Sequence, residues 1–95
     1  MELVVTDAAV NWFREEVGLK GDSVKFHGRY GGADPVQFGF SLMFTRNKPI
    51  RAVASVRKRG VLLFVEENDL WFFDGHDLHV DYDEKLEELS YTYVK

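Results

Sequence analysis

Between residues 37 and 44 the chain alternates strictly. Phe38, Phe40, Leu42 and Phe44 fall on one side, and the small Gly39 and Ser41 on the other. A period of two predicts a β-strand with one apolar face. Four bulky side chains in a row then require a second layer to cover them. With only 95 residues, that layer has to come from the same short chain, and an aromatic content of 15% supplies the bulk. The expectation is a single folded unit, residues 1–95, with no internal repeat and no interdomain linker.

The remaining elements follow from the same kind of reading. Thr6 is placed to cap a helix with Asp7 in its first turn. Ala9, Val10, Phe13 and Val17 then share one face up to Gly18. Residues 23–30 alternate as a strand, with Val24, Phe26 and Tyr30 set against Lys25, His27 and Arg29. Gly31, Gly32, Ala33, Asp34 and Pro35 are expected to break it. Residues 50–57 and 61–66 read as a hairpin turning at Lys58-Arg59-Gly60. Asn68 or Asp69 is placed to begin one helical turn through Leu70, Trp71, Phe72 and Phe73, a run apolar enough to predict burial. Leu78, Val80 and Tyr82 define a further strand, and residues 89–94 a last one, while 83–89 fit either strand or helix. The fold class expected is α+β, mostly antiparallel β, with one N-terminal helix.

Charge is distributed unevenly. Residues 1–60 hold ten basic and six acidic side chains, and residues 61–95 hold two and ten. Arg46, Lys48, Arg51, Arg57, Lys58 and Arg59 succeed one another without a carboxylate. The two segments are expected to neutralise each other or to form solvated faces. Arg57, Lys58 and Arg59 are the candidate contacts for an acidic partner. Nucleic acid is disfavoured, because the net charge is −4 and the basic segment has little aromatic interleaving. With no apolar run of about 20 residues and no basic, apolar leader at the N-terminus, a cytoplasmic location and no membrane association are expected.

The chain has no cysteine, which excludes a disulfide framework, a thiolate metal site and a cysteine nucleophile. The metal-ligand candidates that remain are His27, Asp77, His79 and Asp81. The last three share one face of a strand and could hold a divalent ion if His27 or His76 closed the shell, since neighbours in such a row stand ~7 Å apart. The loop 29–35 could turn amide groups and Arg29 toward an anion, or simply be a tight turn. No Gly-x-Ser-x-Gly or His-Glu-x-x-His pattern occurs, so a non-catalytic protein is expected.

The succession of Val5-Thr6-Asp7-Ala8-Ala9, a strand entering Gly31-Gly32, Gln37-Phe38-Gly39-Phe40, and Phe73-Asp74-Gly75 before a strand resembles the HesB-like family of A-type iron–sulfur carrier and scaffold proteins. The resemblance spans residues 4–94. It implies a compact sandwich or pseudobarrel, a role in iron–sulfur cluster biosynthesis, and a homo-oligomer. The family places one cysteine where Ala33 stands and two more beyond Val94, so no cluster ligand carries over. The expectation is a cysteine-free, non-catalytic accessory or binding module that has no cofactor of its own and a protein partner in iron–sulfur assembly. The alternative is a divalent-metal-binding or small-ligand-binding protein that uses the His/Asp set.

Overall fold

The computed structural model describes residues 1–18 and 21–95. In chain order the elements are β1 (Leu3–Val5), α1 (Asp7–Glu16), β2 (Ser23–Ala33), β3 (Phe38–Arg46), β4 (Ala52–Lys58), β5 (Val61–Glu66), a 3-10 turn (Glu67–Asp69), α2 (Leu70–Phe73), β6 (Asp77–Asp83) and β7 (Glu88–Val94). They form two sheets, one in the order β1-β6-β7 and one in the order β3-β2-β5-β4. The class is α+β, as the periodicities predict. Three of the strand pairs are antiparallel, whereas β1 runs parallel to β6 and β2 runs parallel to β5.

One apolar cluster draws on both sheets and both helices. Leu3 and Val5 meet Leu78 and Val80 from the smaller sheet, Val24, Phe26, Val61, Leu63 and Val65 from the larger, and Ala9, Val10, Phe13, Phe72 and Phe73 from the helices. The centre of the larger sheet, β5, also buries Phe64, although Phe64 points to the face opposite Leu63 and Val65. Both faces of β5 are therefore covered, and the alternation of a half-buried strand is lost there.

Helix α1 starts as its sequence dictates. The Thr6 hydroxyl accepts the Ala9 N–H at 3.2 Å and donates to Asp81 Oδ1 at 2.7 Å, so one side chain caps the helix and fastens it to β6. Together with the Tyr82 N–H, that donation holds the Asp81 carboxyl below the usual carboxylate range. A Thr6→Ala variant should lose about 1 kcal/mol of stability in denaturant titration. An unchanged midpoint would show that the cap contributes nothing.

The structure departs from the sequence reading at β2, which does not stop at Tyr30. It runs on to Ala33 through a bulge, with Gly31 at φ +108° and Gly32 at φ +89°. Glycine tolerates these left-handed values without a Cβ clash, so the pair bends the strand without ending it. The basic hairpin turns on Arg59 (φ +51°) and Gly60 (φ +80°), the two positive angles of a type I′ turn.

Candidate interaction surface

The far end of the β2–β3 hairpin overhangs the core. Tyr30 and Phe38 lie there 87% and 89% exposed, and Trp71 of α2 is 52% exposed beside them. Phe38 shares its strand with Phe40, Leu42 and Phe44, which pack against the core, and Tyr30 pairs directly with Phe40. The expected placement of Tyr30 and Phe38 in the core is therefore corrected: the second layer ends before it reaches them. The run Leu70 to Phe73, expected to be buried, divides instead. Phe72 and Phe73 are fully buried, while Leu70 and Trp71 face outward.

Two of these exposed rings, Tyr30 and Trp71, pack against others. Tyr30 packs edge-on against Phe40 with centroids 5.6 Å apart, Phe40 against Trp71 at 5.1 Å, Trp71 against Phe72 at 6.1 Å, and Phe72 against Phe73 at 5.2 Å. An unbroken series of edge-to-face contacts thus runs from the surface into the core.

The loop that carries the surface is fixed from several sides. Asp34 Oδ2 accepts the Tyr93 hydroxyl at 2.7 Å, and its Oδ1 accepts the Val36 N–H at 2.9 Å. The Asp34 N–H donates to the Phe40 carbonyl at 2.9 Å, and the Phe40 N–H to the Gln37 carbonyl at 3.2 Å. Gln37 Nε2 reaches the Trp71 carbonyl at 3.3 Å. Burial, and then the Asp34 carboxylate, push the Tyr93 phenol well above the ordinary tyrosine range, so it remains the donor. The Asp34 N–H is thereby used internally, which leaves the anion-cradle reading of residues 29–35 without that donor.

The metal-ligand candidates are dispersed. Asp77, His79 and Asp81 follow one another on β6, but Asp77 Oδ1 accepts the Glu2 N–H at 2.7 Å, and Asp81 is engaged by Thr6 and Tyr82. His27 belongs to the other sheet, with its ring nitrogens near the Gly28 carbonyl and Thr45 Oγ1. His76 Nδ1 lies 2.9 Å from the Phe73 carbonyl, which can only accept, so Nδ1 carries the proton. Among the described residues, no three His, Asp or Glu side chains gather to hold an ion.

Of the basic candidates, Arg57 and Arg59 are exposed, whereas Lys58 is partly used within the fold. Its Nζ donates to the Val5 carbonyl at 2.8 Å and lies 3.4 Å from Asp7 Oδ1, tying β4 to β1 and to the start of α1. Elsewhere the basic and acidic segments meet directly, at Arg51–Glu67 (3.7 Å) and, from β2, at Lys25–Asp69 (3.3 Å). A cleft of about 350 Å³ near these pairs is lined by Lys25, Asn47, Arg51, Glu66 and Asp69. Its buried carboxylate, Glu66, accepts the Ile50 and Arg51 N–H groups at 2.6 and 2.8 Å, so it secures the loop before β4. Among the described residues no helix is long and apolar enough to cross a membrane.

The fold and its surface define a small two-sheet α+β protein whose exposed large aromatic residues, among those described, are Tyr30 and Phe38 at the hairpin end and Trp71 beside it. Comparison with known proteins gives the family. The chain is 43% identical over 94 residues to the pyruvate dehydrogenase inhibitor of Bacillus subtilis (strain 168), spanning 98% of this chain and 99% of that protein, and it belongs to the same family. Uncharacterized proteins of Staphylococcus saprophyticus (36% over 96 residues; 97% and 98% of the two chains) and Staphylococcus haemolyticus (32% over 100 residues; the whole of both) are also similar. No family model matches the chain.

These findings correct the HesB-like assignment and the iron–sulfur role drawn from it, since the relative with a functional name is an enzyme inhibitor and none of these names refers to iron–sulfur assembly. The metal- or ligand-binding alternative gains no support either. The motifs that carried the resemblance have local structural uses. Gly31-Gly32 forms the β2 bulge, and Asp74 (φ +46°) with Gly75 (φ +77°) closes α2 in the left-handed region. Any β-rich chain with similar turns needs similar residues there. The aromatic surface had one legible signal, a run of large apolar residues on both sides of a glycine-rich turn.

Proposed function

We propose that this protein is a non-catalytic regulator that binds and restrains an enzyme of the pyruvate dehydrogenase type, docking through Tyr30, Phe38 and Trp71. The observation that carries this reading is the exposure of three large aromatic rings, Tyr30 of β2, Phe38 of β3 and Trp71 of α2, around a loop that Asp34 ties to Tyr93 and Gln37 ties to Trp71. Solvent-facing clusters of large apolar residues mark binding surfaces, and Tyr and Trp are enriched among the residues that dominate binding energy. Because the loop is already ordered, little conformational entropy is lost on docking. The name of the Bacillus subtilis relative supplies the kind of enzyme. In this reading residues 1–95 act as one unit, and Arg57 and Arg59 form a separate basic patch outside the contact.

The test is to add the purified protein to a bacterial pyruvate dehydrogenase complex and measure the rate of NADH formation. The parent protein should lower the rate. The triple variant Tyr30→Ser/Phe38→Ser/Trp71→Ser, checked for folding by circular dichroism, should require at least about 30-fold more protein for the same effect, the equivalent of one lost hot spot. Arg57→Ser/Arg59→Ser should inhibit like the parent. If the parent protein leaves the rate unchanged, the reading fails. If the arginine variant loses inhibition while the aromatic variant keeps it, the docking surface is the basic hairpin instead.

A further inference from the structure

The two sheets have four outer strands, and three of them are guarded. At β3, the loop folds back so that Asp34 N–H and Gln37 C=O take the backbone groups of Phe40. At β4, a register shift between Ala52 and Ala54 breaks the ladder, and Arg57 and Lys58 occupy its end. The third, β1, is three residues long, and its Val5 carbonyl is held by Lys58. Such bulges, charges and short lengths are how sheet edges avoid unwanted pairing. β7 is the least guarded: its single charge, Glu88, stands at its first residue, and from Leu89 to Val94 it contains no charge, proline or bulge.

The direction of its backbone groups follows from the hydrogen bonds of its neighbour. The Leu78 N–H donates to Glu2 and the Val80 carbonyl accepts from Thr6, so these two residues face β1. Asp77, His79 and Asp81 consequently face β7 and bond to Val94, Thr92 and Ser90. Leu89, Tyr91 and Tyr93 are left with N–H and C=O directed away from the sheet. Their side chains turn inward yet stay only half-buried.

We propose that this edge pairs with the β7 edge of a second copy of the chain, antiparallel and two-fold symmetric about Tyr91, joining the two smaller sheets into one of six strands. The sequence is self-complementary about that point. Tyr91 faces its own copy, Leu89 faces the copy's Tyr93, Ser90 the copy's Thr92, and Glu88 the copy's Val94, while Glu87, at φ +53°, lies in the preceding turn and outside the register. The register therefore matches the outward backbone groups at 89, 91 and 93 and sets two hydroxyl residues opposite each other on each side of the axis. It covers the open flank of Leu89, Tyr91 and Tyr93 with the same residues of the partner. None of this depends on which enzyme the aromatic hairpin binds.

Sedimentation equilibrium across a concentration series, with amide hydrogen exchange, tests the proposal. The parent chain should form dimers, and the amides of Leu89, Tyr91 and Tyr93 should slow their exchange as dimer accumulates. Ser90→Lys/Thr92→Lys, at two exposed positions, places like charges opposite each other on both sides of the axis and should weaken dimerisation about tenfold. Ser90→Lys/Thr92→Glu sets opposite charges there instead and should recover it, which a general loss of folding could not do. A parent chain that stays monomeric at every concentration overturns the proposal. So does a dimer whose affinity ignores Ser90→Lys/Thr92→Lys, or one that leaves those three amides unprotected.

Discussion

A Gly28→Ala variant is expected to be less stable than the parent by about 3 kcal/mol, at the upper end of what overpacking costs. A Cβ at Gly28 would collide with Cδ1 of Phe72 and lie 2.7 Å from its Cγ. Phe72 is fully buried, with Trp71 and Phe73 packed edge-on against it, so its ring has no free direction in which to retreat. The backbone of Gly28 is not in the left-handed region, so the penalty comes from the lost space and not from φ. This separates it from Gly31 and Gly32, where the angle itself requires glycine. Phe72→Ala alone should cost about 3–5 kcal/mol through the cavity it leaves. The double variant Gly28→Ala/Phe72→Ala should be no less stable than Phe72→Ala, because the added methyl then enters vacated space. Denaturant titration of the three variants gives the coupling directly. Additive losses would mean that the ring and the glycine do not share one site.

That contact also shows how far the sequence could be read. Position 28 falls in phase with Val24 and Phe26, so alternation puts it on the inner face, but nothing in the pattern says that a ring from residue 72 fills the gap. Face is a local property, set by the period of the strand, whereas coverage depends on what lies across from it. The same distinction explains Phe38 and Tyr30. Both have the right phase for the core, and both project past the end of the opposing layer. The helix α1, its Thr6 cap, β5, β6 and the type I′ turn were legible because each rests on contacts within a few residues. The parallel pairings of β1 with β6 and of β2 with β5 join residues far apart in the chain, and β1 is too short to show a period. Lys58 illustrates the same limit for charge. In the sequence it belongs to a basic cluster, and only the approach of Val5 gives it a second task.

The candidate surface was half legible. Its residues stand out as aromatic, but composition alone favours burying them. What sets Tyr30, Phe38 and Trp71 apart is the bracing beneath them: Asp34 bonded to Tyr93 across 59 positions, and Gln37 bonded to Trp71 across 34. Turn chemistry accounts for an Asp next to a Pro, and the second use of Asp34, as acceptor for a tyrosine on the other sheet, emerges only when the two sheets pack.

Phe13→Ala should be among the most damaging single changes in the chain, costing about 3–5 kcal/mol. The ring is fully buried and meets Phe44 at 5.0 Å, Trp12 at 5.2 Å and Phe26 at 6.1 Å, all near edge-to-face. Its helix has ten residues, of which only Ala9, Val10 and Phe13 are buried. A helix this short has little stability in isolation, so its order depends on docking, and Phe13 supplies most of the docked apolar bulk. The consequence should spread beyond the deleted atoms. Arg46 Nη2 donates to the Val17 carbonyl at the helix end, and Thr6 holds the other end to Asp81, so both ties tighten only on a docked helix. Amide exchange should therefore accelerate along the whole of α1, and Trp12, packed against both Phe13 and Phe44, should shift its fluorescence to longer wavelength. A Phe13→Leu variant, which keeps most of the apolar volume, should lose far less stability and leave the helix protected. If Phe13→Ala cost under about 1 kcal/mol, well below the range for a buried ring, or if exchange rose only at residue 13, the helix would be held by its ends and not by this ring.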